Sequence, residues 1–176
     1  MHDHGQASEV SATPHHMSGK YEGRLLLDGF DWETMRRFHG HLGPWLALGM
    51  KIGTHAYEEL GFRPHFGVSV RVWCPLERPI TCLLDGLQWS TGATLGKGNI
   101  SITHSDALNV EIDGGQAGKL AYHIPPDTGD KFARLISDLG EDEATRAVWE
   151  APLAEYCQVG TGQADRYRYP NSGYGS

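Results

Sequence analysis

Two histidines and one cysteine are the residues of this sequence whose types and spacing point to chemistry. His39 and His41 flank a single glycine, and Cys82 follows further along the chain. Imidazole nitrogen and thiolate sulfur are both ligands of Zn²⁺, and three protein ligands leave one coordination position open for water or a substrate. The three residues are therefore candidates for a metal site. The structural alternative is that the histidines line a polar turn and that Cys82 packs as a small apolar residue.

Asp85 is the fourth candidate residue. It lies one helical turn after Cys82, so the two side chains would share one face of a helix. Three chemical roles are open to it: a further metal ligand, a hydrogen-bond partner that orients a histidine, or a base in catalysis. We assign Asp85 as the candidate catalytic residue, and a solvated or capping carboxylate is the structural alternative.

Helices are expected to position these side chains. One covers 31–38 with Asp31 as its N-cap, and the next begins at Pro44, a residue favoured at a first helical position, and ends before Gly61. The histidines would then lie beside the free N–H groups at the start of the second helix. A third helix is expected to run from about Thr81 to Ser90. A thiol at such a helix start has a lowered pKa, which favours the thiolate that a metal needs.

Alternating apolar residues indicate strands. The run 66–74 alternates valine with polar residues, and shorter runs follow at 100–104, 108–112 and 120–124. Because the last two flank an Asp-Gly-Gly hairpin signal, we expect the three shorter runs to form an antiparallel meander. Two closing helices are predicted, one containing Phe132 and Leu139 and one over about 142–156. This order of elements predicts an α+β fold.

The composition excludes several classes of protein. The chain has 176 residues, which suits one domain, and its formal net charge of −7 argues against a nucleic-acid binder. Because it carries no basic-then-apolar leader and no apolar run of membrane-spanning length, we expect a cytoplasmic protein that binds no membrane. Cys74, Cys82 and Cys157 include no CxxC pair, which argues against a disulfide framework and a four-cysteine zinc site.

We divide the chain into three parts. Residues 1–20 are polar and histidine-containing, and we expect them to be disordered. Residues 21–159 would form the metal-binding domain. Residues 160–176, rich in Gly, Tyr and Arg without periodicity, would form an irregular tail.

Two segments together resemble the FmdE family, which takes its name from formylmethanofuran dehydrogenase. Residues 38–49, Phe-His-Gly-His-Leu-Gly-Pro-Trp-Leu-Ala-Leu-Gly, are similar to its pattern Phe-His-Gly-His-x-Cys-Pro-Gly-x-x-x-Gly. Residues 82–99 are similar to Cys-x-x-Asp-x-Ile-Gln-x-x-Thr-Gly-Cys-Thr-x-Gly-Lys-Gly-Asn. The resemblance covers about residues 30–125. It implies an α-β-α-β-β-β unit with a mixed sheet, a metal near the His-Gly-His and Cys segments, and a homodimer.

Two departures from the family pattern change the expected ligand set. Gly43 and Ala93 stand where the family has cysteines, so the site should be poorer in sulfur and richer in nitrogen and oxygen. We expect zinc first, with iron or nickel as alternatives. Further candidates for a vacated position lie at strand edges or ends: His65, His104 and His123.

Three functions remain open on the sequence. The first is a metal-binding accessory protein that handles a metal or small ligand. The second is an enzyme whose open metal position activates water or a substrate, and the third is a homodimeric or partner-binding module with a decayed metal site. The family name describes an association with a molybdenum or tungsten enzyme, so it assigns no dehydrogenase activity to this chain.

Tryptophans border the candidate site in sequence: Trp45, Trp73 and Trp89. We expect them to pack in the core, since tryptophan is usually largely buried. A tryptophan facing the site would instead favour a flat ligand, including a haem held by a histidine.

Overall fold

A computed structural model of the chain describes residues 30–162. This part contains five α-helices and one five-stranded mixed sheet, which confirms the predicted α+β fold. The predicted disordered segment 1–20 and residues 163–176 of the predicted tail lie outside the described residues. The helices and strands are α1 (Trp32–His39), α2 (Pro44–Leu60), β1 (Ser69–Cys74), α3 (Leu83–Thr91), β2 (Ile100–His104), β3 (Leu108–Asp113), β4 (Lys119–Ile124), α4 (Thr128–Leu139), α5 (Glu141–Glu150) and β5 (Gln158–Thr161).

The first helix begins and ends within one residue of its predicted bounds, and the second begins and ends where the sequence predicts. The side chain of Asp31 accepts a hydrogen bond from the backbone N–H of Thr34 and caps α1. α2 begins at Pro44, and Gly61 ends it in the left-handed conformation with its N–H bonded to the carbonyl of Tyr57. The short turn between α1 and α2 therefore runs from the end of one well-defined helix to the start of another.

The sheet order corrects the predicted meander. The strands lie in the order β2-β1-β3-β4-β5, with β1 parallel to β2 and the other neighbours antiparallel. β1 therefore separates β2 from β3, because the crossover through α3 brings β2 back in the same direction as β1. The expectation of a β2–β3 pair is wrong, whereas the β3–β4 hairpin and the mixed sheet that the resemblance implied are confirmed.

Near the C-terminal end of the described chain, the structure differs from the predicted elements in two ways. α5 ends at Glu150 rather than near residue 156, since Pro152 disfavours helical backbone in the residue before it. The chain then adds β5, antiparallel to β4, which extends into the first two residues of the predicted irregular tail. β5 spans four residues and contains a glycine, so its sequence carries no strand signal.

The core lies between the sheet and the helices. It contains fully buried residues from each layer, among them Leu48 of α2, Leu87 of α3, Val110 of β3 and Phe132 of α4. A second cluster of buried residues lies under α1: Met35, Leu42, Leu46 and Met50. Both clusters include residues of α2, so this helix is the element that fixes the others.

Glycines allow α3 to lie directly against α2. A Cβ at Gly86 would lie 2.6 Å from the backbone nitrogen of Met50, and a Cβ at Gly49 would collide with the backbone of Leu83. The two backbones therefore approach more closely than any side chain would allow. This contact places the start of α3 beside the turn that follows α1.

No helix in residues 30–162 combines the length and the apolar character that crossing a membrane would require.

Candidate metal centre

The structure brings the three predicted ligands together. His39 is the last residue of α1, His41 lies in the following turn, and Cys82 immediately precedes α3. One ligand atom from each residue lies within 4.8 Å of the other two. Nitrogen and sulfur donors at such separations form a group that a single metal ion can join.

The ring of His39 is held in an orientation suited to metal binding. Its Nδ1 lies 2.7 Å from Oδ2 of Asp85, and its side chain is 7% exposed. A carboxylate oxygen accepts, so Nδ1 carries the proton and Nε2 retains its lone pair. This Nε2 is buried and has no hydrogen-bond partner among the described residues. A buried polar atom without a partner is costly, whereas a metal ion would satisfy it.

His41 is oriented by a backbone oxygen and a carboxylate. Its Nδ1 lies 3.0 Å from the backbone oxygen of Leu42 and 3.3 Å from Oε1 of Glu141. Both oxygens accept, so Nδ1 is the donor and Nε2 is the free nitrogen. The side chain of His41 is 49% exposed, so the centre is open to solvent on this side.

Cys82 supplies the sulfur and lies half-buried. Burial raises the pKa of its thiol, the Asp85 carboxylate raises it further, and Arg78 opposes the shift. The prediction that the helix start lowers this pKa is therefore wrong for the protein without metal. The cause is that burial and the neighbouring Asp85 charge outweigh the opposing charge of Arg78.

Asp85 takes one of its three predicted roles in the structure, that of a hydrogen-bond partner for a histidine. Its Oδ2 accepts from His39, and its Oδ1 accepts from Nε2 of Gln88 at 3.2 Å. Gln88 is itself held by the backbone N–H of Leu95, which donates to its Oε1. This chain of hydrogen bonds fixes the ring of His39. The catalytic assignment of Asp85 stays a prediction.

Glu141 is a neighbour of the site that the sequence motifs do not indicate. It is the first residue of α5, and Asp142 beside it forms an ion pair with Arg36 of α1 at 2.5 Å. A Cβ built at Gly43 would lie 4.0 Å from Oε1 of Glu141 and 3.5 Å from Cε1 of His41. The position at which the family pattern has a cysteine therefore faces His41 and Glu141. No local sequence signal links Glu141 to a turn so far away in the chain.

The other candidate histidines lie outside the group of three. His65 packs against Gly92, His104 is the exposed last residue of β2, and Nδ1 of His123 lies 2.8 Å from Oδ1 of Asn109. Ala93, at the second lost cysteine, is fully buried. Within residues 30–162, His39, His41 and Cys82 form the single group of this kind.

The family model "FmdE, Molybdenum formylmethanofuran dehydrogenase operon" matches residues 38–160. This chain belongs to the FmdE family. The match begins at Phe38, beside the two histidines, and covers most of the described chain.

A curated relative gives a shorter match. This chain is 36% identical over 78 residues to a probable S-adenosyl-L-methionine-binding protein of Archaeoglobus fulgidus. The match covers 44% of this chain and 20% of that protein, so the chain spans a minor part of that relative's length.

The tryptophans differ in their surroundings. Trp45 is 6% exposed and packs its ring edge-to-face on Phe132, as predicted for a core residue. Trp89 is partly exposed, and its ring centroid lies 5.6 Å from that of Phe38, the residue before His39. An aromatic pair therefore borders the metal centre.

Proposed function

We propose that this protein binds one divalent transition metal, zinc in the first place, and acts as an accessory protein that handles the metal or a small ligand bound to it. His39, His41 and Cys82 would be the ligands, and Asp85 and Glu141 would orient the two imidazoles. Iron and nickel are the alternative metals. Membership of the FmdE family supports a metal-associated role.

The observation that carries the proposal is the buried Nε2 of His39. This atom has no hydrogen-bond partner among the described residues, while Nδ1 of the same ring is fixed by Asp85. A histidine held in this way is typical of a metal ligand whose second nitrogen donates to a carboxylate. His41 and Cys82 add a nitrogen and a sulfur within reach of the same ion.

Metal content of the full-length protein tests the proposal. Because His2, His4, His15 and His16 could bind metal weakly, all variants would carry Gln at these four positions. We expect close to one zinc per chain in this background and almost none after His39→Ala/His41→Ala. His104→Ala, at an exposed histidine on β2, should retain the metal.

Cobalt substitution tests the sulfur ligand separately. Co²⁺ bound through Cys82 should show a thiolate-to-metal charge-transfer band in the near ultraviolet, and Cys82→Ser should remove it. Stoichiometric zinc that persists in His39→Ala/His41→Ala would overturn the site. Absence of zinc, iron and nickel from both proteins, with equal thermal stability, would favour the module with a decayed site.

Metal-dependent catalysis is the second candidate, and the exposure of His41 favours it. With three protein ligands, one coordination position would remain on a solvent-facing side of the centre. A metal held there would lower the pKa of its bound water, which would supply a nucleophile. The cobalt spectrum should then change with pH through a single titration near neutrality, and a spectrum independent of pH would count against this function.

A further inference from the structure

A pocket of about 420 Å³ lies beside the metal centre, and none of the three candidate ligands lines it. Its size is within the range of small-molecule sites. The side chains that form it are Phe38, His65, Gln88, Trp89, Thr94 and Lys97.

Two residues connect this pocket to the metal centre. Phe38 directly precedes His39 in the chain. Gln88 donates to Oδ1 of Asp85, whose Oδ2 accepts from His39. A small molecule in the pocket would therefore contact Gln88, which donates a hydrogen bond to the carboxylate that orients His39.

The aromatic wall of the pocket offers a flat surface. Phe38 is 49% exposed, which is high for a large apolar side chain, and its ring is tilted by 48° to that of Trp89. Nε1 of Trp89 is buried and has no hydrogen-bond partner among the described residues. An exposed aromatic ring beside a second ring at one wall favours a ligand that has an aromatic face.

Lys97 adds a positive charge to the pocket. Its ammonium donates to Oγ1 of Thr94 at 2.8 Å, and no carboxylate in residues 30–162 forms an ion pair with it. A lysine at a pocket without an acidic partner is suited to an anionic group.

His65 is held at the pocket in a strained backbone conformation. Its φ of 70° lies in the left-handed region, which non-glycine residues rarely adopt. Nδ2 of Asn99 donates to its carbonyl at 2.7 Å, and its own N–H donates to the carbonyl of Thr91. Its ring packs on Gly92, where a Cβ would collide with Nδ1. Strain that several contacts maintain is typical of binding sites.

These contacts also explain the second sequence motif. Gly92, Thr94, Lys97 and Asn99 do not belong to the metal centre, and each of them lines the pocket or holds a residue that does. The motif therefore serves two sites: Cys82 and Asp85 at its start serve the metal centre, and its second half builds the pocket.

We propose that this pocket binds a planar aromatic ring that carries one anionic group, a carboxylate or a phosphate. The ring lies on Phe38 and Trp89, and the anion lies between Lys97 and His65. Binding in the pocket rests on these residues alone, whereas a role for the ligand next to a metal rests on the proposed function.

Four small probes test the proposal on the full-length protein. 2-Naphthoate and 2-naphthyl phosphate combine the ring with each anion, 2-naphthalenemethanol lacks the charge, and cyclohexanecarboxylate lacks the flat ring. Calorimetry with zinc-loaded and EDTA-treated protein should show that one of the two aromatic anions binds best. The two partial probes should bind about tenfold more weakly, since each loses one kind of contact.

Matched variants locate the binding. Lys97→Met and Phe38→Leu should each weaken binding of the better aromatic anion about tenfold. The controls Lys131→Met, on α4, and Phe66→Leu, at a residue that is 76% exposed and does not line the pocket, should have no effect. Both pocket residues are exposed, so the variants should keep the thermal stability of the parent.

Nuclear magnetic resonance gives a readout that does not need a variant. The indole Nε1–H signal of Trp89, identified by its loss in Trp89→Phe, should shift when the aromatic anion binds. Equal binding by the parent, Lys97→Met and Phe38→Leu would overturn the proposal, as would no binding of any probe at millimolar concentration. His39→Ala/His41→Ala should bind the aromatic anion without metal, so failure of the metal site and failure of the pocket are distinguishable.

Discussion

Oε1 of Glu141 lies 3.3 Å from Nδ1 of His41 and 4.0 Å from the position that a Cβ at Gly43 would occupy. A carboxylate of α5 thus borders the space in which the family pattern has a thiol. The Glu141 carboxylate contacts His41 at Nδ1, which leaves Nε2 of the same ring for a metal. The loss of the cysteine therefore leaves a site that still has an anionic group beside His41.

The first prediction concerns Glu141. Glu141→Gln removes the charge that favours the Nδ1–H form of His41, and we expect the zinc dissociation constant to rise about tenfold. Competition with a chromogenic chelator measures it. Glu143→Gln, two residues along α5, is the control, because Glu143 faces Arg146 and not the site. Equal zinc affinity in the two variants would show that Glu141 has no part in metal binding.

The second prediction restores the lost thiol. Gly43 has an extended backbone with φ of −155°, and the nearest atom to an added Cβ would be 3.5 Å away, so Gly43→Cys should fold without strain. A second thiolate should strengthen zinc binding and increase the cobalt charge-transfer absorbance by about twofold. Gly43→Ser, similar in size but without sulfur, should leave that absorbance unchanged. An unaltered spectrum in Gly43→Cys would mean that position 43 does not reach the metal.

The third prediction concerns the contact between α2 and α3. The Cβ of Gly86→Ala would lie 2.6 Å from the backbone nitrogen of Met50, so α3 must move away from α2. We expect a loss of about 1–3 kcal/mol in the free energy of unfolding, measured with urea in EDTA. Zinc affinity should also fall, because Cys82 and Asp85 move with α3. Gly96→Ala, which meets no atom within 4 Å, is the control, and equal stability of both variants would contradict this account.

The sequence predicted the local features of the protein well. Asp31, Pro44 and Gly61 act within one helical turn, and caps of this kind can be identified without knowledge of the rest of the fold. The pairing of β2 was mispredicted because β2 and β3 both alternate apolar residues, and alternation does not determine which strand lies alongside. Sheet order depends on the crossover through α3, which is a property of the whole chain.

In the candidate site, too, the sequence predicts the local features and not the contacts that depend on the whole fold. The residue types of His39, His41 and Cys82 were sufficient to nominate them, and the structure brings the three together. Glu141 reaches His41 because α5 packs on α2 and because Asp142 pairs with Arg36 of α1, and no spacing in the sequence carries that contact. The metal, the homodimer and the cytoplasmic location stay predictions.

The last prediction concerns the dependence of stability on pH. His123 is buried, with Nδ1 at 2.8 Å from Oδ1 of Asn109, and burial lowers the pKa of its imidazole. Well above a pH of about 6.5, the ring is neutral in the folded and the unfolded chain. As the pH falls below that value, the unfolded chain binds a proton that the folded protein takes up only at its lower pKa, so stability decreases. The slope contributed by His123 is at most about 1.4 kcal/mol per pH unit.

Urea titrations in EDTA between pH 7.5 and 5 measure this contribution, with pH values chosen to bracket the ordinary histidine pKa of about 6.5. His123→Gln keeps an amide donor for Asn109 and has no titrating group, so its stability should fall less steeply with decreasing pH than that of the parent. His104→Gln, at an exposed histidine, should keep the slope of the parent. If His123→Gln and the parent lose stability in parallel, the proton uptake comes from other groups, and the burial of His123 does not set the acid sensitivity of the fold.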